Sequence, residues 1–233
     1  MEYIQTILGR LKPEDIGITL SHEHVIVIPP KRIYEKDPIT ALDDVEKSSE
    51  ELRLFYEAGG KTIIEMTTLD LGRDIKKLIE VNKRVPVNIV ETTGFYGNTV
   101  DFPWIEEADV EELTEIIVRD IKEGIDGTEA KAGVIKFATS YNVIKPVERK
   151  IISAAANAHI ETGTPIATHT EHGTMALEQI ELLKELGVEP ERVVIGHMDR
   201  NPDLWLHKEV AKTGAFLSYD KIAKTAYYPV SVQ

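Results

Sequence analysis

The sequence predicts a parallel α/β fold of the (β/α)8 (TIM) barrel type, with the eighth strand and the C-terminal helices absent from the 233 residues. Three observations predict it. Short apolar runs alternate with segments whose apolar residues recur at helical spacing, as in strands covered on both faces by helices. Neither Gly-x-Gly-x-x-Gly nor a P-loop occurs, so the nucleotide-binding versions of parallel α/β lose support. Histidines end several of the strands, at the layer where barrels of this type keep their active sites.

The strands are expected at Ile16–His24, Thr62–Thr67, Val87–Thr92, Gly133–Ala138, Pro165–His169, Val193–His197 and Ala215–Tyr219. The first reads as a buried strand, and a short N-terminal segment to about Glu14 precedes it. Between strands, Leu113, Ile116, Ile117 and Ile121 form one helical stripe, and Leu177, Ile180, Leu183 and Leu186 another. Gly59-Gly60, Gly163 and Gly187 stand where helices should stop, and Gly214 follows the helix that begins near Pro202. A closed barrel takes about 250 residues. The chain instead reaches Pro229-Val-Ser-Val-Gln233 inside the helix expected after the seventh strand. No linker, repeat or low-complexity tract divides it, so residues 1–233 read as a single barrel domain that is incomplete at its C-terminal side.

Composition removes several function classes. Hydrophobic residues at 42% and charged residues at 29% suit an ordinary globular core. With no cysteine there are no disulfides, thiolate metal sites or cysteine nucleophiles. A net charge of −13 argues against nucleic acid, which requires a concentrated basic surface. Met1-Glu-Tyr-Ile-Gln lacks the pattern of a signal peptide, and no apolar run approaches the ~18 residues of a membrane span. A cytoplasmic protein without a membrane partner is expected.

The chemistry is concentrated at strand ends. His22 and His24 close the first strand at i and i+2, so both imidazoles share a face while Glu23 points away. Two neutral imidazoles begin a divalent-metal site, since nitrogen donors suit zinc and its neighbours. His169 ends the fifth strand and His197 the sixth. A core would not choose imidazole four times at one layer. His159, His172 and His207 lie in helical or loop positions and read as solvated side chains. Lys136 lies inside an apolar strand, where its charge must be desolvated. Beside divalent cations it should be neutral or converted to an anion, and a carboxylated lysine would offer two oxygens able to bridge two metals.

Together, Thr19-Leu-Ser-His22-Glu-His24, Gly133-Val-Ile-Lys136, Thr168-His169-Thr and Ile195-Gly-His197-Met-Asp resemble the phosphotriesterase-related, lactonase-containing branch of the amidohydrolase superfamily. Thr92-Thr-Gly94-Phe-Tyr96 and Lys122-Glu-Gly-Ile-Asp-Gly127 extend the resemblance over essentially the whole chain. The resemblance implies a binuclear centre holding two divalent ions, zinc first, with manganese, cobalt or iron as alternatives. His22 and His24 would bind the more buried ion, His169 and His197 the more exposed one, and N6-carboxylated Lys136 would bridge both. It also implies a bridging hydroxide as nucleophile, and an aspartate ending strand eight that is not in this sequence. Asp220, ending strand seven, reads as an orienting or substrate-loop contact rather than as that ligand.

The implied reaction is hydrolysis of a lactone or related ester, with a phosphorylated sugar lactone among the substrates that relatives use and phosphotriester hydrolysis as a side activity. Tyr96 matches a family tyrosine on the substrate side of the metals, and Lys221 stands where relatives often carry arginine, so both are expected to bind substrate. Relatives are often homodimers, and nothing in the sequence identifies an interface. The competing reading is a non-catalytic barrel that holds metal or ligand, motivated by the missing aspartate.

Overall fold

The computed structural model describes residues 3–36 and 38–222. The N-terminal segment is an antiparallel hairpin, β1 (Ile4–Thr6) and β2 (Gly9–Leu11). Seven strands follow: β3 (Ile18–Glu23), β4 (Gly60–Glu65), β5 (Asn88–Phe95), β6 (Ala132–Thr139), β7 (Ile166–Thr170), β8 (Val193–Ile195) and β9 (Phe216–Leu217). They make one sheet in chain order, each strand parallel to the next. This is the barrel-type α/β wall that the alternating pattern predicts. The helix expected around Pro229–Gln233 lies outside the described residues.

The connecting helices are α1 (Lys31–Lys36), α2 (Val45–Glu57), α3 (Ile75–Arg84), α4 (Trp104–Glu107), α5 (Val110–Lys122), α6 (Pro146–Thr162), α7 (Ala176–Glu185) and α8 (Leu204–Lys212). Their starts are written locally. Asp44, Asp74 and Asp203 accept hydrogen bonds from first-turn amides, Asp109 and Glu112 form a reciprocal capping box, and Pro146 opens α6. Gly163 takes the left-handed conformation that stops α6, with φ of 72°.

Side-chain alternation separates two apolar layers. Ile135 and Phe137 of β6 pack outward against Ile117 of α5 and Ile152 of α6, each fully buried. Each such side chain contributes about 1.5–3 kcal/mol through its removal from water. Val90 of β5 and Val134 of β6 point inward with Met66 and Ala167, and Ile4 of the hairpin packs on them. The Ile7 amide also donates to the Ile89 carbonyl at 2.9 Å. The hairpin thus covers the N-terminal ends of the strands, and Lys136, one inward step beyond Val134, leads to the opposite rim.

The first strand corrects an expectation. Instead of being buried it is the edge of the sheet, with Ile18 64% and Leu20 38% exposed. Among the described residues β4 covers one edge of β3 and no strand pairs with the other, so apolar content alone does not bury it.

Candidate metal centre

At the C-terminal rim the five predicted ligands converge. The ring centroid of His197 lies 4.5 Å from that of His22 and 4.5 Å from that of His169, and the His24 ring is 5.8 Å from that of His22. Lys136 Nζ sits 3.4 Å from His22 Nε2 and donates to the Met66 carbonyl at 2.7 Å. Backbone geometry makes room for this packing. Gly94 has φ of 105°, and a Cβ there would fall 2.1 Å from the Lys136 carbonyl oxygen. Only glycine lets β5 lie so close to β6 beside the lysine. His197 itself is held at φ of 62°, a left-handed conformation that costs on the order of 1–3 kcal/mol outside glycine and gathers at functional sites.

Electrostatics keep these donors neutral. Burial, followed by the Lys136 charge, lowers His22 and His24 well below the usual histidine range. Burial takes His169 and His197 down to about 4 against the raising effect of Glu171 and Asp220. Burial also brings Lys136 down to about 7, against the opposing pull of Glu65. A cluster of neutral imidazoles around a lysine with a substantial free-amine fraction has the donor chemistry of a divalent-cation site. His22, His197 and Asp220 bring one ligand atom each within 4.8 Å of one another. The residues fit the metal that the sequence implies.

Asp220 stands closer to the imidazoles than the sequence reading suggests. Its Oδ1 is 2.5 Å from His197 Nδ1, and its Oδ2 is 3.5 Å from His22 Nδ1. Burial raises its pKa, but the hydrogen bonds from His197 and Ser218 and the His197 charge together outweigh this and hold the carboxylate below its usual range. The contact with His197 Nδ1 is the orienting one, since it leaves the other ring nitrogen for a cation. Of the two predicted substrate residues, Tyr96 places its hydroxyl 3.0 Å from His169 Nε2. The Lys221 backbone amide donates to Asp199 Oδ2 at 2.9 Å, and its positive charge contributes to lowering His22, His24 and Lys136.

The remaining histidines are not uniformly solvated. His159 is buried in α6 with Nδ1 2.8 Å from the Thr164 carbonyl, because that helix face packs on the sheet. His207 is half-buried between the Asn201 carbonyl and the Tyr219 hydroxyl. His172 is half-buried in the turn Glu171–Gly173, 3.4 Å from Glu171.

Several polar residues at the rim escaped the sequence reading. Glu171 Oε2 lies 3.1 Å from His169 Nε2. Asp70 is fully buried and receives the amides of Tyr96, Gly97 and Asn98, which fixes the loop that carries the tyrosine. Glu65 ends β4 and accepts from the amides of Val25 and Thr67 and from the Thr67 hydroxyl. Burial pushes Glu65 up to about 7 against those hydrogen bonds. The signal for Glu65 was present: a charged residue in an apolar strand, the same oddity that marks Lys136.

A parallel barrel wall with imidazoles and a buried lysine gathered at its C-terminal rim is the frame of a barrel hydrolase. The chain belongs to the Phosphotriesterase family, whose sequence profile matches residues 2–233. It is 36% identical to the phosphotriesterase homology protein of Escherichia coli, covering 91% of this chain and 73% of that protein. It is 32% identical to the phospho-furanose lactonase of Mycoplasmopsis agalactiae, covering 99% of this chain and 70% of that protein. Among solved structures, a lactonase of Listeria monocytogenes superposes with a TM-score of 0.94 at 42% identity, over 99% of this chain and 76% of that one. The E. coli protein, solved with phosphate in its active site, superposes at 0.88 with 36% identity, over 94% and 75%. Among the described residues no helix is long and apolar enough to cross a membrane.

Proposed function

We propose that this protein is a metal-dependent hydrolase of lactones or related esters, with a phosphorylated sugar lactone as the favoured substrate class and phosphotriester hydrolysis as a weaker activity. The observation that carries the reading is the convergence of His22, His24, His169 and His197, all kept neutral, on buried Lys136. The lactonase and phosphotriesterase relatives support the reaction class, and the phosphate held by the E. coli relative supports a phosphorylated substrate.

His22 and His24 would hold one divalent ion and His169 and His197 a second, and Lys136 would join the donor set once its free amine had taken up CO2 and lost a proton. Divalent ions held there, zinc first among the candidates, would supply a water of near-neutral pKa and Lewis-acid polarisation of a scissile carbonyl or phosphoryl oxygen. Tyr96 presents its hydroxyl beside His169 to the substrate oxygen. Asp220 orients His197 and is placed to hold a proton next to it. Lys221 supplies positive charge near His22, His24 and Lys136 for an anionic substrate group.

A second reading is favoured by the compact group of His22, His197 and Asp220, which suits a single ion in a non-catalytic barrel. Metal stoichiometry separates the two. Protein produced with zinc or manganese is expected to carry two ions per chain and to hydrolyse lactones, including phosphorylated ones, faster than phosphotriesters. One ion per chain and no turnover would establish the second reading. Lys136→Ala is expected to lose most bound metal and at least a hundredfold in activity, partly restored by short carboxylic acids that replace the bridge; full retention of two ions in that variant refutes the assignment.

A further inference from the structure

We infer that Glu65, acting through the Thr67 hydroxyl, is a positioning residue that sets the tautomer of His24 and leaves its Nε2 bare for a cation. The inference rests on the proposed role of His24 as a ligand. It comes from counting hydrogens along one chain of contacts. The backbone amides of Val25 and Thr67 can only donate, and they reach Oε2 and Oε1 of Glu65 respectively. In the ionised carboxylate both oxygens can only accept. The Thr67 hydroxyl also meets Oε1, and with a single proton to give it donates there. Its oxygen is then left to accept, and the group facing it at 2.8 Å is His24 Nδ1. Nδ1 must carry the ring proton, so Nε2 has none.

The geometry suits a relay and not a direct pair. Glu65 Oε1 is 3.8 Å from His24 Nδ1, beyond hydrogen-bond reach, while Thr67 bridges the gap. Glu65 is the last residue of β4 and Thr67 lies two residues beyond it, where its amide and hydroxyl both turn back to the carboxylate. Both are buried, at 1% exposure each, so water does not compete for the contacts. His197 obtains the same effect in one step from Asp220. Ligating histidines generally need such a partner on the second nitrogen, and losing it typically weakens metal binding 10–100-fold.

Glu65 also staples the exit of β3 through the Val25 amide, so a purely structural role has to be told apart. Thr67→Val keeps that staple and the side-chain volume but removes the hydroxyl. Nitrogen-15 NMR of the metal-free full chain at pH 8, where Glu65 is ionised, reads the His24 tautomer, with His24→Gln for assignment. Zn2+ affinity by chelator competition gives a second readout. Wild type is expected to show Nδ1–H. Thr67→Val and Glu65→Gln are expected to populate Nε2–H and to bind Zn2+ roughly 10–100-fold more weakly, and Thr67→Ser to restore both readouts. Nε2–H in wild type, or an unchanged tautomer in Thr67→Val, overturns the inference. A shifted tautomer with unchanged Zn2+ affinity instead removes His24 from the ligand set and leaves the tautomer assignment standing.

Discussion

The two flanks of the site are supported from opposite directions. On the β7–β9 flank, His169 and His197 meet their carboxylates, Glu171 and Asp220, at the rim itself. On the β3–β5 flank the supporting acids lie behind the wall. Glu65 and Glu91 are partners in register on the helix-facing side of β4 and β5, fully desolvated, with Arg73, Asp120 and Thr93 alongside. The difference teaches how one ring of ligands can be both rigid and open. Rim carboxylates can orient imidazoles and also reach substrate, whereas acids behind the sheet reach the site only through an intermediary, as Glu65 does through the Thr67 hydroxyl. Variants of Arg73 and Glu91, which have no such relay to an imidazole, should therefore appear first in stability, and variants of the rim first in metal binding.

Arg73→Ala should give the largest effect and tests the hidden flank. The guanidinium is 2% exposed, donates to Asp120 Oδ2 at 2.9 Å and reaches Asp126 at 3.4 Å. Removing it leaves the Asp120 charge buried without its cation, a change that costs about 3–5 kcal/mol. Urea unfolding should show that loss in ΔG while the metal content of the folded fraction stays at the wild-type value. Metal lost before stability would mean that the two flanks are not separable. Asp220→Asn comes next and should do the reverse. It keeps shape but removes the charge beside His197 Nδ1, so Zn2+ affinity should fall roughly 10–100-fold with little change in the urea midpoint. An affinity within twofold of wild type would show that the carboxylate contact does not orient His197.

The same contrast decides what the sequence reveals. Parallel strands buried on both faces are continuous apolar runs, so the five inner strands β4 to β8 are recognisable to within a few residues. The more exposed end strands β3 and β9 are recognised by the same apolar content. The ends are harder. The last two strands are shorter than expected, because the chain leaves β8 through Gly196 and the left-handed His197. The rim histidines are legible because imidazole is rare in a core and recurs there at one layer. The hidden acids are marked as charges in apolar strands, but the side they face is not legible, for a reason of geometry. In a strand covered on both faces the apolar alternation disappears, and with it the evidence for which side Glu65 and Glu91 face. Neither their partner across the sheet nor the helix residue behind them is close in sequence. Thr67 adds a further step, since a threonine just past a strand is ordinary until the histidine it bonds is seen 43 positions away.

Glu91 shows what such a position contributes once found. Among the described residues neither carboxylate oxygen has a hydrogen-bond partner, and burial, reinforced by Glu65, raises its pKa well above the usual range despite the pull of Arg73. Between the unfolded pKa and the raised folded one, the native state holds a proton that the unfolded chain has released. Native protein then binds more protons, so this group lowers stability as pH rises. Glu91→Gln keeps the volume and removes the titration. It should stabilise the fold by on the order of 1–3 kcal/mol at pH 7, with no gain at pH 4, and flatten the decline of ΔG between pH 5 and 8. If the variant is less stable at pH 7, Glu91 is charged and paired with Arg73, and the hidden flank is an ion network instead of a neutral acid beside a salt bridge.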